Sequence, residues 1–207
     1  MKTRQLSIWS AVAVALLLLS GAAQAGGNDG DRGRGGGGGG GGGGSLCSNA
    51  TLKGPFGFIG HGVILGLLDS SNVLHPFATQ SILDDVALVT FDGNGKFTRT
   101  DFGSINGVPK GGQTSFNPAQ TGTYSVNSDC TGTMSIVYTA GGATPAGVVT
   151  DLNIVVTSDG TQVESVVYRA RTPSAASAPD GYSCPMDCVQ GVQEAFEGKK
   201  VLVYGFR

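Results

Sequence analysis

Tryptophan, histidine and charge are all scarce in this chain. It holds one tryptophan, Trp9, and two histidines, His61 and His75, in 207 residues, and 14% of its residues are charged. Two histidines outside any serine or cysteine pattern leave little from which to build a hydrolytic triad or complete a zinc site. With Lys+Arg at 13 and Asp+Glu at 15 the net charge is −2. The acidic excess grows when only the part after Ser45 is considered. Such a surface does not attract phosphate backbones or anionic lipid, which argues against nucleic acid and membrane surfaces as partners. Also missing are a Gly-x-Ser-x-Gly elbow, a glycine loop followed by Lys-Ser/Thr, and a glycine fingerprint after a strand, so hydrolase, nucleotide and dinucleotide chemistry have no motif to rest on. The one long apolar run, Ile8 to Leu19, is twelve residues, short of the ~20 that span a bilayer.

That run reads instead as the centre of a signal peptide. Lys2 and Arg4 precede it, and Ala23-Gln24-Ala25 follows with the small-x-small pattern a signal peptidase accepts. Residues 1–25 are expected to be removed, taking Trp9 with them and leaving no membrane span. Glycine, by contrast, is abundant: 36 residues, ten of them in unbroken succession from Gly35 to Gly44. A glycine run has nothing to bury and the most backbone entropy to lose, so residues 26–45 are expected to be a disordered linker. The rest has the length of one domain. The expected location is outside the cytoplasm: periplasmic, cell-surface or extracellular.

The four cysteines, Cys47, Cys130, Cys184 and Cys188, all fall in the exported part. An even number in an oxidising compartment suggests two disulfides. Three pairings exist. Cys47–Cys130, tying the chain entry to a hairpin tip, and Cys184–Cys188, stapling a local turn, are the favoured ones. A C-x-x-x-C spacing with two histidines elsewhere suits zinc poorly, and no metal or cofactor is expected.

After Ser45 the pattern is strand, turn, strand. Short runs of Thr, Val, Phe and Tyr alternate with clusters of Gly, Asn and Asp. Strands are expected at 56–64, 86–91, 96–102, 122–126, 131–138, 152–157 and 162–170. Asp92-Gly93-Asn94-Gly95 is a strong hairpin turn, because these residues tolerate positive φ. In 131–138, Met134, Ile136 and Tyr138 alternate with hydroxyl residues, the mark of a sheet with one buried face. The expected fold is all-β, an antiparallel meander that removes its edges by closing into a small barrel. A two-sheet sandwich is the alternative. Residues 46–171 would form the barrel and 172–207 a C-terminal extension. The extension is expected to hold a Pro/Ala/Ser linker, a short disulfide-stapled helix over 185–197 and a final strand over 201–206. The segment 65–85 reads as a long insertion between the first two strands.

Candidate chemistry is sparse. Asp92-x-Asn94 begins like a calcium loop, but Lys96 and Gly103 stand where further ligands belong, so a turn is expected. Asp84-Asp85 reads as a solvated strand entry, and His75, before Pro76, as exposed. His61, flanked by Gly60 and Gly62 on a strand, is the single ligand-binding candidate. If it serves a polar ligand or a reaction, it should point into the barrel beside a polar partner.

The segments Leu46-Cys-Ser-Asn-Ala-Thr-Leu-Lys-Gly54 with Phe56-Gly-Phe58, Thr90-Phe-Asp-Gly-Asn-Gly95 and Thr121-Gly-Thr-Tyr-Ser-Val-Asn-Ser-Asp-Cys-Thr-Gly-Thr133 resemble a group of uncharacterised exported bacterial β-barrel proteins. These share an LKG…F opening, an F-D-G-x-G hairpin and a G-T-Y…D-C-T-G-T hairpin. The group is similar in layout to avidin, lipocalin and allene-oxide-cyclase barrels. The resemblance covers 46–138 and implies a fold, with no site residue carried over. The resulting expectation is a non-enzymatic binding or surface-interaction module, with a small apolar ligand or a cell-surface component as partner. The alternatives are an isomerase- or cyclase-like barrel enzyme and a structural envelope or matrix protein.

Overall fold

The computed structural model describes residues 46–201. The expected signal peptide and glycine linker, and most of the final strand expected over 201–206, lie outside them. The described residues contain nine strands: β1 (Lys53–Leu68), β2 (Leu74–Asp92), β3 (Lys96–Ile105), β4 (Val108–Pro109), β5 (Asn117–Val126), β6 (Thr131–Tyr138), β7 (Val149–Val156), β8 (Gln162–Thr172) and β9 (Cys188–Lys200). Apart from the two-residue β4, which hooks back onto β3, each strand pairs antiparallel with its chain neighbours, and β9 returns to pair with β1. The result is a closed eight-stranded antiparallel barrel with no sheet edge left to protect.

The two ends of the barrel differ. At one end the strands are joined by tight turns: Asp92 to Lys96, Asn127 to Thr131 and Thr157 to Gln162. In each, a side-chain oxygen caps backbone N–H groups; Asp92 Oδ1 accepts from Asn94 at 2.7 Å and from Lys96 at 3.0 Å. The incoming chain seals this end. Its 3-10 turn (Asn49–Thr51) and the fully buried Leu52 pack against Tyr124, whose hydroxyl donates to the carbonyls of Asn49 at 3.0 Å and Leu52 at 2.9 Å. Cys47 is bonded to Cys130 at the β5–β6 turn. Above this plug the interior is aromatic: Phe56, Phe58, Phe97 and Tyr124 surround Phe91 with ring centroids 5.0 to 6.3 Å away. Burying such rings contributes roughly 1.5–3 kcal/mol each. At the other end the longer connections gather: residues 69–73, 106–116, 139–148 and 173–187, the last carrying the Cys184–Cys188 disulfide. Both pairings are the ones favoured from the sequence, and they suggest a non-reducing environment.

Three expectations need correction. Residues 185–197 do not form a helix; 185–187 end the preceding loop and 188–197 belong to β9, which is hydrogen-bonded to β1 and β8. Met186, Val189, Val192 and Phe196 mimic a helical stripe. The real pattern is period two, with Val192, Glu194, Phe196 and Gly198 facing inward. Glycines keep this strand close to its partners: a Cβ at Gly198 would fall 2.4 Å from the Phe58 ring. Consequently the part beyond 172 supplies a strand of the barrel itself. Finally, 65–85 is no insertion, since β1 and β2 run on as a long hairpin and only 69–73 lie between them.

Candidate functional site

His61 lies on the outer wall. Its side chain is 65% exposed and Nδ1 is 2.6 Å from Oδ1 of Asp84, its cross-strand neighbour on β2. The bulge after Ile64 comes too late in β1 to turn it inward. The condition set for a polar-ligand or catalytic role, a side chain pointing into the barrel, is therefore not met. Asp84 and Asp85 point to opposite faces, as successive strand residues must. Asp84 is solvated, but Asp85 is 7% exposed and inside the barrel, so the solvated reading holds for only one of the pair.

What Asp85 meets inside is a buried ionic cluster. Inward positions of β3 run Phe97, Arg99, Asp101, placing a guanidinium and a carboxylate where the alternation calls for apolar residues. Arg99 and Asp101 are 2% and 0% exposed. Arg99 donates through Nη2 to Asp85 and through Nη1 to Asp101 at 2.9 Å, to Gln120 and to the Tyr138 hydroxyl at 3.2 Å. Gln120 donates to the other oxygen of Asp101 at 2.6 Å, and Tyr138 to Asp101 at 3.1 Å. Lys110 comes from outside the strands. Asn106 and Gly107, both at positive φ, make the tight turn from β3 to β4, and the following 3-10 turn (Lys110–Gly112) folds the lysine back over the mouth. There Nζ donates to Asp101 at 2.6 Å, Asp85 at 3.3 Å and Tyr138 at 3.5 Å. An ammonium has three N–H bonds, and all three point at protein acceptors.

The electrostatics follow from these contacts. Burial opposes ionisation of Asp101, but Arg99 and Lys110 outweigh it and hold its carboxyl well below the usual range. Asp85 is the carboxyl pushed up, to about 6, mainly by burial, against the pull of the same two cations. For Arg99 and Lys110, burial is overcome by Tyr138, Asp85 and Asp101, which fix both as cations. Burial also raises the Tyr138 phenol.

Above the cluster, at the loop end, lies a partly enclosed cavity of about 120 Å³. Its polar lining includes Asp85, Lys110, Tyr138, Thr144 and Glu194; its apolar lining includes Ile64, Leu83, Ile105, Ile136, Val148, Val192 and Phe196. Two of the polar groups are unsatisfied. Thr144 Oγ1, on the β6–β7 loop, is cut off from solvent without a hydrogen-bond partner. Glu194, inward on β9, has no hydrogen-bond partner among the described residues, and burial followed by repulsion from Asp85 pushes it up to about 7. A broader hollow of about 630 Å³ on the outer wall is lined by Thr90, Thr98, Thr121, Thr123 and Val137 beside Phe91 and Phe97. It contains no unpartnered buried polar group, so the smaller cavity is the better site despite its size.

His75 is not free either. Its ring stacks on Tyr182 at 4.0 Å, and Nδ1 is 2.7 Å from Asp180. The hydrogen bond to Asp180 raises its pKa. The contact ties the β1–β2 hairpin to the β8–β9 loop.

Sequence reasoning missed Arg99, Asp101, Gln120, Tyr138, Lys110 and Glu194 as a group. One signal was present: charges on the inward register of β3, opposite Thr98 and Thr100. The chain matches no family model, no curated protein and no solved structure.

Proposed function

We propose that this protein is an exported small-molecule-binding barrel that takes its ligand through the loop end. The observation that supports this most is the cavity whose wall combines apolar side chains with a half-buried carboxyl, Glu194, that has no hydrogen-bond partner among the described residues, and a buried hydroxyl, Thr144 Oγ1, left unpaired. Leaving such groups unpaired costs stability, which is the usual condition of a surface kept for a ligand. An engineered cavity of about 150 Å³ takes up benzene, so about 120 Å³ suits a molecule, or a molecular end, of about six heavy atoms. The opposite end, closed by Leu52 and the Cys47–Cys130 bridge, offers no entry.

The test is ligand-detected NMR with a mixture of compounds of up to about eight heavy atoms, followed by titration of the isotope-labelled protein. Shifts centred on Tyr138, Thr144, Val192 and Glu194 are expected. Shifts confined to the outer wall, or none at saturation, overturn the reading. Export has its own test: the N-terminus of secreted protein should be Gly26, and a retained Met1 contradicts it.

A second reading keeps the cavity but makes Glu194 a general acid or base. A carboxyl at about 7 is poised to exchange a proton near neutral pH. Deuterium uptake into a bound carbon acid, lost in Glu194→Gln, would distinguish it from binding alone. The resemblance to exported bacterial barrels belongs to this proposal as well.

A further inference from the structure

The charges lining the cavity are unequal. Arg99 and Asp101 lie in the cluster beneath it, while Asp85, Lys110 and Glu194 form its wall. Lys110 directs its three donors at Asp101, Asp85 and Tyr138, leaving none for an incoming anion. Arg99 is buried against Asp85 and Asp101. Within the barrel two cations therefore stand against three carboxylates, and the third, Glu194, has no partner. The deficit is one positive charge, located at the carboxyl in the mouth. Thr144 also lines this space, and its Oγ1 is buried without a hydrogen-bond partner. Around them, Ile64, Leu83, Ile105 and Val192 offer only carbon.

We propose, resting on the binding reading above, that the cavity recognises a small primary amine as its ammonium ion, with the Glu194 carboxylate as counter-ion, Thr144 Oγ1 as a second acceptor and the apolar wall enclosing the carbon chain. The ligand supplies the missing cation and up to three N–H donors. An alcohol would fill the same space without the charge. A carboxylate would meet Asp85 and Glu194 with no unpaired cation to offset them.

The probes are butylammonium, butan-1-ol and butyrate, nearly equal in size, titrated into the oxidised full chain and followed by NMR at the cavity residues. Near pH 8, with Glu194 ionised, butylammonium should bind at least about tenfold tighter than butan-1-ol. Near pH 5.5 the preference should fall towards parity, because Glu194 and then Asp85 take up protons under the fields of Arg99, Lys110, Asp101 and Tyr138. Glu194→Gln should give parity at both pH values while its circular dichroism matches the wild type. The pH series on the unaltered protein keeps the test valid should the variant misfold. Equal binding of the amine and the alcohol near pH 8, or tightest binding of butyrate, overturns the amine class and leaves the binding reading standing. Failure of all three probes to shift any cavity residue at saturation overturns both.

Discussion

At the scale of single residues, the barrel interior contains carboxyls displaced in opposite directions. Asp101 is held ionised by Arg99 and Lys110, so its contribution is present above the ordinary aspartate range and lost as pH falls through its lowered pKa. Glu194 and Asp85 behave inversely. Both bind protons more tightly in the folded than in the unfolded chain, so stability falls as pH rises from about 4 to 7. Combined, these slopes place the stability maximum near pH 4–5, more acidic than the usual range. Denaturant unfolding across pH should show this. Glu194→Gln should stabilise the fold near pH 8 by on the order of 2 kcal/mol and flatten the decline. A variant less stable than wild type at that pH would show that Glu194 has a partner in the fold.

At the scale of elements, β1 and β9 have to approach closely for the barrel to close, and glycines allow it. A Cβ at Gly60 would meet the Phe196 ring at 2.4 Å, whereas one at Gly57, on the outer face of the same strand, would find its nearest neighbour at 3.9 Å. Gly60→Ala is expected to cost about 1–3 kcal/mol through overpacking, and Gly57→Ala to change stability by less than about 0.5 kcal/mol. Equal effects in thermal or denaturant unfolding would contradict the closed arrangement. The same closure explains why local pattern misled at 185–197. Short-range spacing suits a helix, but a strand there pairs on both sides, and those long-range bonds outweigh a weak intrinsic preference.

At the scale of the whole molecule, one end of the barrel is fastened and the other is jointed. The Cys47–Cys130 bridge closes a loop with a sequence separation of 83, which in the chain-entropy model stabilises by about 4–5 kcal/mol. Cys184–Cys188, with a separation of 4, contributes about 2 kcal/mol. Replacing the first pair by serine should therefore lower stability severely. Replacing the second should leave the barrel intact and loosen only the loop over 173–187, as read by hydrogen exchange. The His75 contacts bear on that loop too. Because the Asp180 hydrogen bond raises the His75 pKa, the clamp is complete below the ordinary histidine value and is lost as pH rises through the raised one. Exchange protection at Tyr182 should fall over that interval, and should not do so in His75→Gln. Fall-off in both proteins would assign the change elsewhere.

Composition and alternation by themselves determined that the chain is all-β, and they placed the three tight-turn hairpins, though not the β1–β2 hairpin, because turn chemistry at Asp92 to Gly95 and the period-two burial of Met134, Ile136 and Tyr138 are local properties of a strand and its turn. The even cysteine count and the position of Cys130 at a hairpin tip were likewise enough to suggest the pairing found. The candidate site was not legible in the same way. Asp85, Arg99, Lys110, Tyr138 and Glu194 come from β2, β3, the 3-10 turn, β6 and β9, and nothing in their spacing along the chain announces that they share one interior. His61 looked distinctive because of its neighbours in sequence, but the direction of its side chain was set by the register of β1 against β2 and β9. A one-residue shift of register exchanges the two faces of a strand, and that register is fixed only when the barrel closes.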